Sequence, residues 1–312
     1  MLVVIITHMQ IRKRKQGNRG ANKRRIERQH LLFLALIAPN FLLLGVFTYW
    51  PMIYQGYLSL TRWNMLTPQK SFVGLDNYAS MFGGWEFWGV LFKTFYFMGT
   101  VVLGSVVLGL AIAVLLNQRL RGRDFVRSVV FAPVILSGAA VGLVWAYIFD
   151  PNYGLMRTFL EPFGLSSPDW LGSTEYAMPA IIIVYLWKSL GFGVVIYLAG
   201  LQNISKDLYE AARIDGATKW VLFRHITVPQ LAPVTFFVVL TTIINSFQAF
   251  DIIAVITGGG PAGATTTLIW YIYQEAFVAF RAGTAAAAAI VMFLLLLIIA
   301  VFQIRYTQRG VH

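Results

Sequence analysis

The chain has 312 residues, of which 58% are apolar and 12% charged, and its mean hydropathy is +0.67. Soluble proteins average about a quarter charged residues, so this composition excludes an ordinary soluble domain and favours a lipid bilayer. The formal net charge is +12, and nine of the 25 basic residues lie between Arg12 and Arg28, beside the first long apolar run. A basic cluster in that place indicates membrane topology and not a nucleic-acid partner. Cysteine is absent, which excludes disulfides, thiolate nucleophiles and cysteine-based metal sites.

Six apolar stretches are long enough to cross a bilayer as helices, which takes about 20 residues each. They are continuous, not alternating, and they exceed the roughly ten residues of a membrane barrel strand. We therefore predict an all-α, polytopic membrane protein with about six transmembrane helices. The predicted spans are residues 31–54, 90–116, 125–149, 178–201, 231–256 and 283–304.

The distribution of Lys and Arg orients these spans, because short cytoplasmic loops are enriched in both residues. With the N-terminus in the cytoplasm, 19 basic residues fall on the inner side and only four, Arg62, Lys70, Arg157 and Arg281, on the outer side. Both termini are therefore predicted to be cytoplasmic, in the cytoplasmic membrane of a bacterium. The predicted organisation is a basic cytoplasmic tail at 1–30, a transmembrane domain at 31–304 and a cytoplasmic tail at 305–312.

The most informative segment is the cytoplasmic loop at 203–233, which has the pattern of two short amphipathic helices with a break between them. Ser205 is a cap-type residue, and apolar residues follow it at near-helical spacing. Gly216 permits a sharp turn because glycine takes positive φ without steric penalty. Pro229 and Pro233 end the second apolar set and restart the chain towards the membrane. An apolar loop of this form on the inner face indicates a docking partner.

The order Glu-Ala-Ala, Asp-Gly-Ala, Ile and Pro within 210–233 resembles the cytoplasmic EAA loop of binding-protein-dependent ABC permeases. In that family the loop is the pair of coupling helices that inserts into a cleft on the ATPase subunit. The resemblance implies that Glu210 faces basic side chains of the ATPase and that Gly216 supplies the turn. The positions that it assigns to ATPase coupling are Glu210, Ala211, Ala212, Asp215, Gly216, Ala217, Ile226 and Pro229.

Further segments extend the resemblance over nearly the whole chain. FVGLDNY at 72–78 and TGGGPAGATTTLIWYIYQEAF at 257–277 look like outer loops of the carbohydrate-uptake subfamily, whose members have the type I ABC importer permease fold. RGRDFVRSVVFAP, VYLWK and NSFQAFDI most resemble the first permease of glycerol-3-phosphate or glycerophosphodiester importers. Permeases for di- and oligosaccharides share much of the same scaffold, so they are the alternative.

Apart from Arg127, which is counted with the cytoplasmic loop, three charged residues fall within the predicted spans, where such groups are costly and usually functional. Lys93 lies close to the outer end of its span and is expected to extend to the lipid headgroups. Lys188 and Asp251 both lie in the outer half of the membrane. They either form a structural ion pair or face a substrate, and in the second case Lys188 presents positive charge to a polar or anionic solute.

The resemblance also implies a substrate path, because sugar contacts in maltose-type permeases come from the same two helices. The positions carried over are Tyr185, Lys188, Ser189, Phe192, Thr242, Ser246 and Ala249. Ala249 departs from the polar residue expected there, and the adjacent Asn245 and Gln248 are candidates to replace it. Phe192 or Trp187 offers an aromatic face for a sugar. With Asp251, the predicted substrate-binding residues are Tyr185, Trp187, Lys188, Ser189, Phe192, Thr242, Asn245, Ser246, Gln248 and Asp251.

The sequence contains no phosphate-binding motif of the form GxxxxGK[ST], and its four histidines have no metal-ligand spacing. No catalytic residue, bound cofactor or metal is therefore predicted, and ATP and Mg are assigned to a separate ATPase. The resemblance implies a second permease as heterodimer partner, two copies of the ATPase and an extracytoplasmic substrate-binding protein. The rival interpretations are a gradient-driven secondary transporter and a membrane anchor without a substrate path.

Overall fold

In the computed structural model of the protein, residues 33–118 and 121–309 are described, the last four of them by backbone alone. The predicted N-terminal tail at 1–30 with its basic cluster, the first two residues of the predicted span 31–54, and residues 310–312 lie outside these residues. The chain divides into two units, residues 1–57 and 58–312. The helices are α1 Phe33–Ser59, α2 Asp76–Gly83, α3 Trp85–Leu116, α4 Arg123–Ile135, α5 Gly138–Ile148, α6 Leu155–Leu160, α7 Ala177–Asn203, α8 Lys206–Ile214, α9 Lys219–Gln230, α10 Ala232–Phe247, α11 Asp251–Ile256, α12 Leu268–Tyr273 and α13 Ala282–Arg309. Short 3-10 or π-helical segments follow α6 and α12, at Glu161–Phe163 and Gln274–Val278.

The predicted fold class is confirmed, since the regular secondary structure of the described chain is helical apart from a two-stranded ribbon. Four helices, α1, α3, α7 and α13, are each long and apolar enough to cross a membrane. The number rises to six if the bent pairs α4–α5 and α9–α10 each count as one span. The outward faces of these helices carry many exposed large apolar side chains, which suits contact with lipid and would be unfavourable in water.

Two of the predicted spans are wrong as continuous helices. The span at 125–149 is two helices, α4 and α5, bent by 103°. Pro133 has no backbone N–H for the helical ladder, and shortly after it Leu136 and Ser137 are extended, with ψ of 145° and 134°. The span at 231–256 ends as a helix at Phe247 and resumes as α11 at Asp251.

The long helices α3 and α7 form the centre of the second unit and pack closely along their length. Glycine makes the close approach possible: a Cβ on Gly104 would lie 2.8 Å from the Leu186 side chain. On α7, a Cβ on Gly191 would lie 2.4 Å from the Val130 carbonyl oxygen of α4. Small residues at these positions therefore set the spacing of the helices that surround the site described below.

The predicted outer loop after α1 is fixed to the start of α13. Thr61–Arg62 and Ser71–Phe72 form an antiparallel ribbon. The buried Asn77 amide donates to the carbonyl oxygens of Ser59 (2.8 Å) and Thr61 (2.9 Å). A Cβ on Gly283 would lie 1.9 Å from the same Thr61 oxygen. The FVGLDNY segment therefore has a structural role, because its residues hold the chain after α1 in place.

Candidate functional site

A cavity of about 320 Å³ opens where the chain breaks between α10 and α11. Its wall comes from α3, α4, α7, α10 and α11, so it lies among the helices of the second unit. Most of its lining residues are polar or aromatic. The lining residues are Ser105, Val134, Tyr185, Lys188, Ser189, Phe192, Gly193, Thr242, Asn245, Gln248, Ala249, Asp251 and Ile252.

One face of α7 supplies four of the predicted substrate-binding residues. Tyr185, Lys188, Ser189 and Phe192 follow the spacing i, i+3, i+4 and i+7 and all line the cavity. The Ser189 hydroxyl donates to the Tyr185 carbonyl oxygen at 2.7 Å, which leaves its oxygen free to accept. Trp187 is not among the lining residues. It is 42% exposed, and its ring packs edge to face against Trp145 with 5.6 Å between the ring centroids.

The end of α10 and the break after it supply the facing wall. Thr242, Asn245 and Gln248 line the cavity, as does the methyl group of Ala249. Ser246 does not line it, although it was predicted to bind substrate. Its side chain is 2% exposed and donates to the Ile243 carbonyl oxygen at 2.8 Å.

Asp251 begins α11 and faces the cavity together with Lys188. Its Oδ1 accepts the Ile252 N–H at 2.9 Å, and its Oδ2 lies directly over Gly138, where a Cβ would come within 1.5 Å of it. The ion pairs of Arg123, Arg127 and Arg281 in the described chain have Asp124 or Glu275 as their partners. Lys188 and Asp251 share a cavity without forming an ion pair.

The predicted coupling loop forms two helices with a turn between them. The Ser205 hydroxyl accepts the Asp207 N–H and caps α8, and the chain reverses at Gly216, whose φ is +81°. The Ala217 N–H donates to the Ala212 carbonyl oxygen at 2.9 Å, as in a Schellman C-cap. The loop therefore has the helix–turn–helix form that the sequence predicts.

A side-chain hydrogen bond joins the two helices of this loop, α8 and α9. The Tyr209 hydroxyl, on α8, is 2.9 Å from the Thr227 hydroxyl, on α9. Two large apolar side chains of these helices are accessible, with Ile214 87% exposed and Trp220 66% exposed. Of the predicted ATPase-coupling residues, Ala212, Ala217 and Ile226 are half-buried. The others are exposed, namely Glu210, Ala211, Asp215, Gly216 and Pro229.

The glycine-rich loop at 257–267 is held against α3 by contacts that the sequence did not indicate. Lys93 was expected to extend to the lipid headgroups, and in the structure its Nζ donates to the Gly263 carbonyl oxygen at 2.7 Å. The neighbouring Thr94 hydroxyl accepts the Leu268 N–H at 2.8 Å. Gly258, Gly259 and Gly263 all have positive φ, which explains the run of glycines. The pattern of Gly and Thr was visible in the sequence, but its partners on α3 were not.

A buried carboxylate, Glu275, follows the same loop along the chain. Glu275 is 5% exposed, and its Oε1 accepts from the Arg281 guanidinium at 2.6 Å, while its Oε2 has no hydrogen-bond partner. Burial raises the pKa of Glu275 above its ordinary value, and the ion pair with Arg281 offsets only part of the increase. Burial and the charge of Glu275 also raise the pKa of Tyr271 to about 12.

Several apolar spans around a polar cavity, with an exposed helix–turn–helix loop, are the features of a multi-pass membrane permease. The described residues include no cluster of three or more His, Asp or Glu that could hold a metal ion. Residues 105–312 match the family described as binding-protein-dependent transport system inner membrane component. The chain belongs to this family of transport permeases, which are not enzymes.

Named relatives come from several transport systems. The chain is 39% identical over 241 residues to the trehalose/maltose transport system permease protein MalF of Thermococcus litoralis, covering 77% of this chain and 82% of that one. It is 33% identical over 278 residues to the sn-glycerol-3-phosphate transport system permease protein UgpA of Agrobacterium fabrum, covering 89% and 94%. A chain of a bacterial alginate ABC transporter, solved with a periplasmic protein carrying an alginate pentasaccharide, has a TM-score of 0.79 and 25% identity, with 91% and 96% covered.

Proposed function

We propose that this chain is one of two permease subunits of an ATP-driven importer, which together form the membrane path for a polar solute. Two copies of an ABC ATPase and an extracytoplasmic binding protein complete the complex. The observation that carries the proposal is the exposed, capped helix–turn–helix at 203–233, whose apolar surface at Ile214 and Trp220 has no cover within the described chain. The family membership supports it.

The mechanism proposed is alternating access. Closure of the ATPases on ATP would draw the coupling loops of the two permeases together. The Tyr209–Thr227 bond and the tight turn at Gly216 make the loop stiff, so its movement passes to α7 and α10, which flank it in the chain. These helices carry much of the cavity wall, which would open first to the binding protein and then to the cytoplasm.

For the solute, the sequence resemblance points to glycerol-3-phosphate or a glycerophosphodiester, and the alternative is a di- or oligosaccharide. The positive charge of Lys188 suits an anionic solute, whereas the carboxylate of Asp251 in the same cavity suits an uncharged di- or oligosaccharide. The eight predicted residues that line the cavity remain the proposed contacts. Trp187 and Ser246 are dropped from the set, because their side chains are engaged elsewhere.

The remaining assignments follow from the same proposal. The protein lies in the bacterial cytoplasmic membrane with both termini in the cytoplasm. Residues 1–30 and 305–312 form its tails, and 31–304 form the transmembrane domain. It binds no cofactor itself, and ATP and Mg belong to the ATPase subunits.

Co-purification from the native host tests the proposal. The tagged wild-type chain should bring down an ATPase and a second permease, and the double variant Glu210→Ala, Gly216→Pro should lose the ATPase. Proline fixes φ near −65°, which is incompatible with the +81° of Gly216, and it removes the N–H that donates to the Arg213 carbonyl oxygen. Glu161→Ala, Gly164→Pro is the matched control, because Glu161 is also exposed and Gly164 also has positive φ in open space.

The control variant should retain the ATPase, since its loop is on the predicted outer side. If the wild type brings down no ATPase, or if the coupling-loop variant retains it fully, the proposed docking role is wrong. The gradient-driven transporter would then be the better interpretation.

A further inference from the structure

The cavity contains two formal charges of opposite sign. Among its thirteen lining residues only Lys188 and Asp251 have side chains that ordinarily carry charge at neutral pH. The other polar groups are the hydroxyls of Ser105, Ser189, Thr242 and Tyr185 and the amides of Asn245 and Gln248. The cavity therefore offers donors and acceptors in comparable number and no surplus of positive charge.

Both oxygens of the Asp251 carboxylate have close neighbours in the structure. Its Oδ1 accepts the Ile252 N–H at 2.9 Å, and its Oδ2 occupies the space above Gly138, where glycine alone leaves room. Gly138 is the first residue of α5, whose preceding residue, Ser137, makes no side-chain cap. The carboxylate thus lies at the positive end of the α5 dipole, a place that favours negative charge.

This placement has a consequence for anions. The N-terminus of a helix is a common phosphate site, and α5 begins next to the Asp251 carboxylate that lines the cavity. Asp251 already occupies that position with its own carboxylate. A phosphate ester, which carries about −1.5 to −2 charge at neutral pH, would meet this carboxylate and have a single lysine, Lys188, as its counter-ion.

We propose that Asp251 and Lys188 are specificity-determining residues that make the cavity select an uncharged, polyhydroxylated solute, a saccharide, over a phosphate ester. This inference rests on the proposed permease function and narrows its substrate class. Sugar hydroxyls donate to the Asp251 carboxylate and accept from the Lys188 ammonium. The aromatic side chain of Phe192 provides an apolar face beside them.

Competition binding tests the inference. The importer, purified with its partner chains and without the binding protein, is placed in nanodiscs, and binding of radiolabelled maltose is competed with maltose or maltose 6-phosphate. The wild type should prefer maltose by at least about tenfold, because a doubly charged group near a carboxylate is repelled. Asp251→Asn should reduce this preference and Lys188→Gln should increase it. Thr241→Val is the matched control, because Thr241 is next to Thr242 in the chain but does not line the cavity. This variant should leave the preference for maltose unchanged.

Opposite shifts from the two variants are the decisive result, since a merely structural role would not reverse with the sign of the removed charge. The inference is overturned if maltose 6-phosphate competes as well as maltose, if both variants shift the preference in the same direction, or if no saturable maltose binding occurs. In each of these cases co-purification of the ATPase shows separately whether the permease function stands.

Discussion

The turn at Gly216 allows a quantitative test of the coupling loop. Its φ is +81° and no atom lies within 4 Å of an added Cβ, so a substitution there changes backbone energy without creating a clash. The left-handed conformation costs an L-residue about 1–2 kcal/mol relative to glycine, less for asparagine, and more for a β-branched residue. We expect the fraction of loops in the docking conformation to fall in the order Gly, Asn, Ala, Val, and by about 5–30-fold for Gly216→Ala.

The assay is titration of the purified ATPase onto the nanodisc-embedded permease pair, with hydrogen exchange at the Ala217 N–H as a local readout of the turn. That N–H donates to the Ala212 carbonyl oxygen, so its protection should fall in the same order as the affinity. Gly164→Ala is the control, because Gly164 has φ +70° with open space on the predicted outer side. Equal affinity for the wild type and the Gly216→Ala variant, or an equal loss from the control, would refute the reasoning.

Three further substitutions test other parts of the structure. Lys93→Met removes the bond to the Gly263 carbonyl oxygen, and hydrogen exchange in the loop at 257–267 should become easier by about 1.5–3 kcal/mol. Gly191→Ala should lower the stability in thermal unfolding by about 1–3 kcal/mol through overpacking, whereas Gly99→Ala, with open space, should not. Glu275→Gln should remove the part of the pH dependence of thermal stability that comes from the Glu275 carboxyl group. Because the native pKa is raised, the wild type loses stability as pH rises from the ordinary value of 4.5 through the native pKa.

The outcomes that contradict these predictions are equally specific. Unchanged exchange in the loop of the Lys93 variant would mean that the bond is not formed in the membrane. Equal midpoints for the two alanine variants would show that α4 and α7 are not in the close contact described. A Glu275→Gln protein with the same pH profile as the wild type would assign the dependence to other groups.

The sequence predicted the α7 wall of the cavity well, because helical spacing alone brings 185, 188, 189 and 192 to one face. The same rule places Trp187 about 200° from Tyr185 around the helix, so its exclusion could have been foreseen. The failure at Ser246 has a different cause. Its spacing suits the cavity, but its hydroxyl bonds to the backbone of its own helix, which a pattern of residue types does not reveal.

The broken spans were missed because hydropathy reports how apolar a stretch is and not whether its helix axis changes direction. The stretch at 125–149 stays apolar across the 103° bend, and only Pro133 and the following Ser137–Gly138 marked it. The break before α11 had a clearer sign in the polar residues Asn245 and Gln248. The bond from Lys93 to Gly263 joins positions 170 residues apart, and no local pattern predicts such a contact.

The contact between Gly138 and Asp251 also predicts how this permease can change over evolution. Any side chain at position 138 would occupy the space of the Asp251 carboxylate, so the two positions cannot vary independently. A homologue that acquires alanine or serine at 138 must first replace the acid at 251 with a smaller residue or shift α11. The two positions should therefore covary across homologous permeases, with an acid at 251 found only where 138 is glycine.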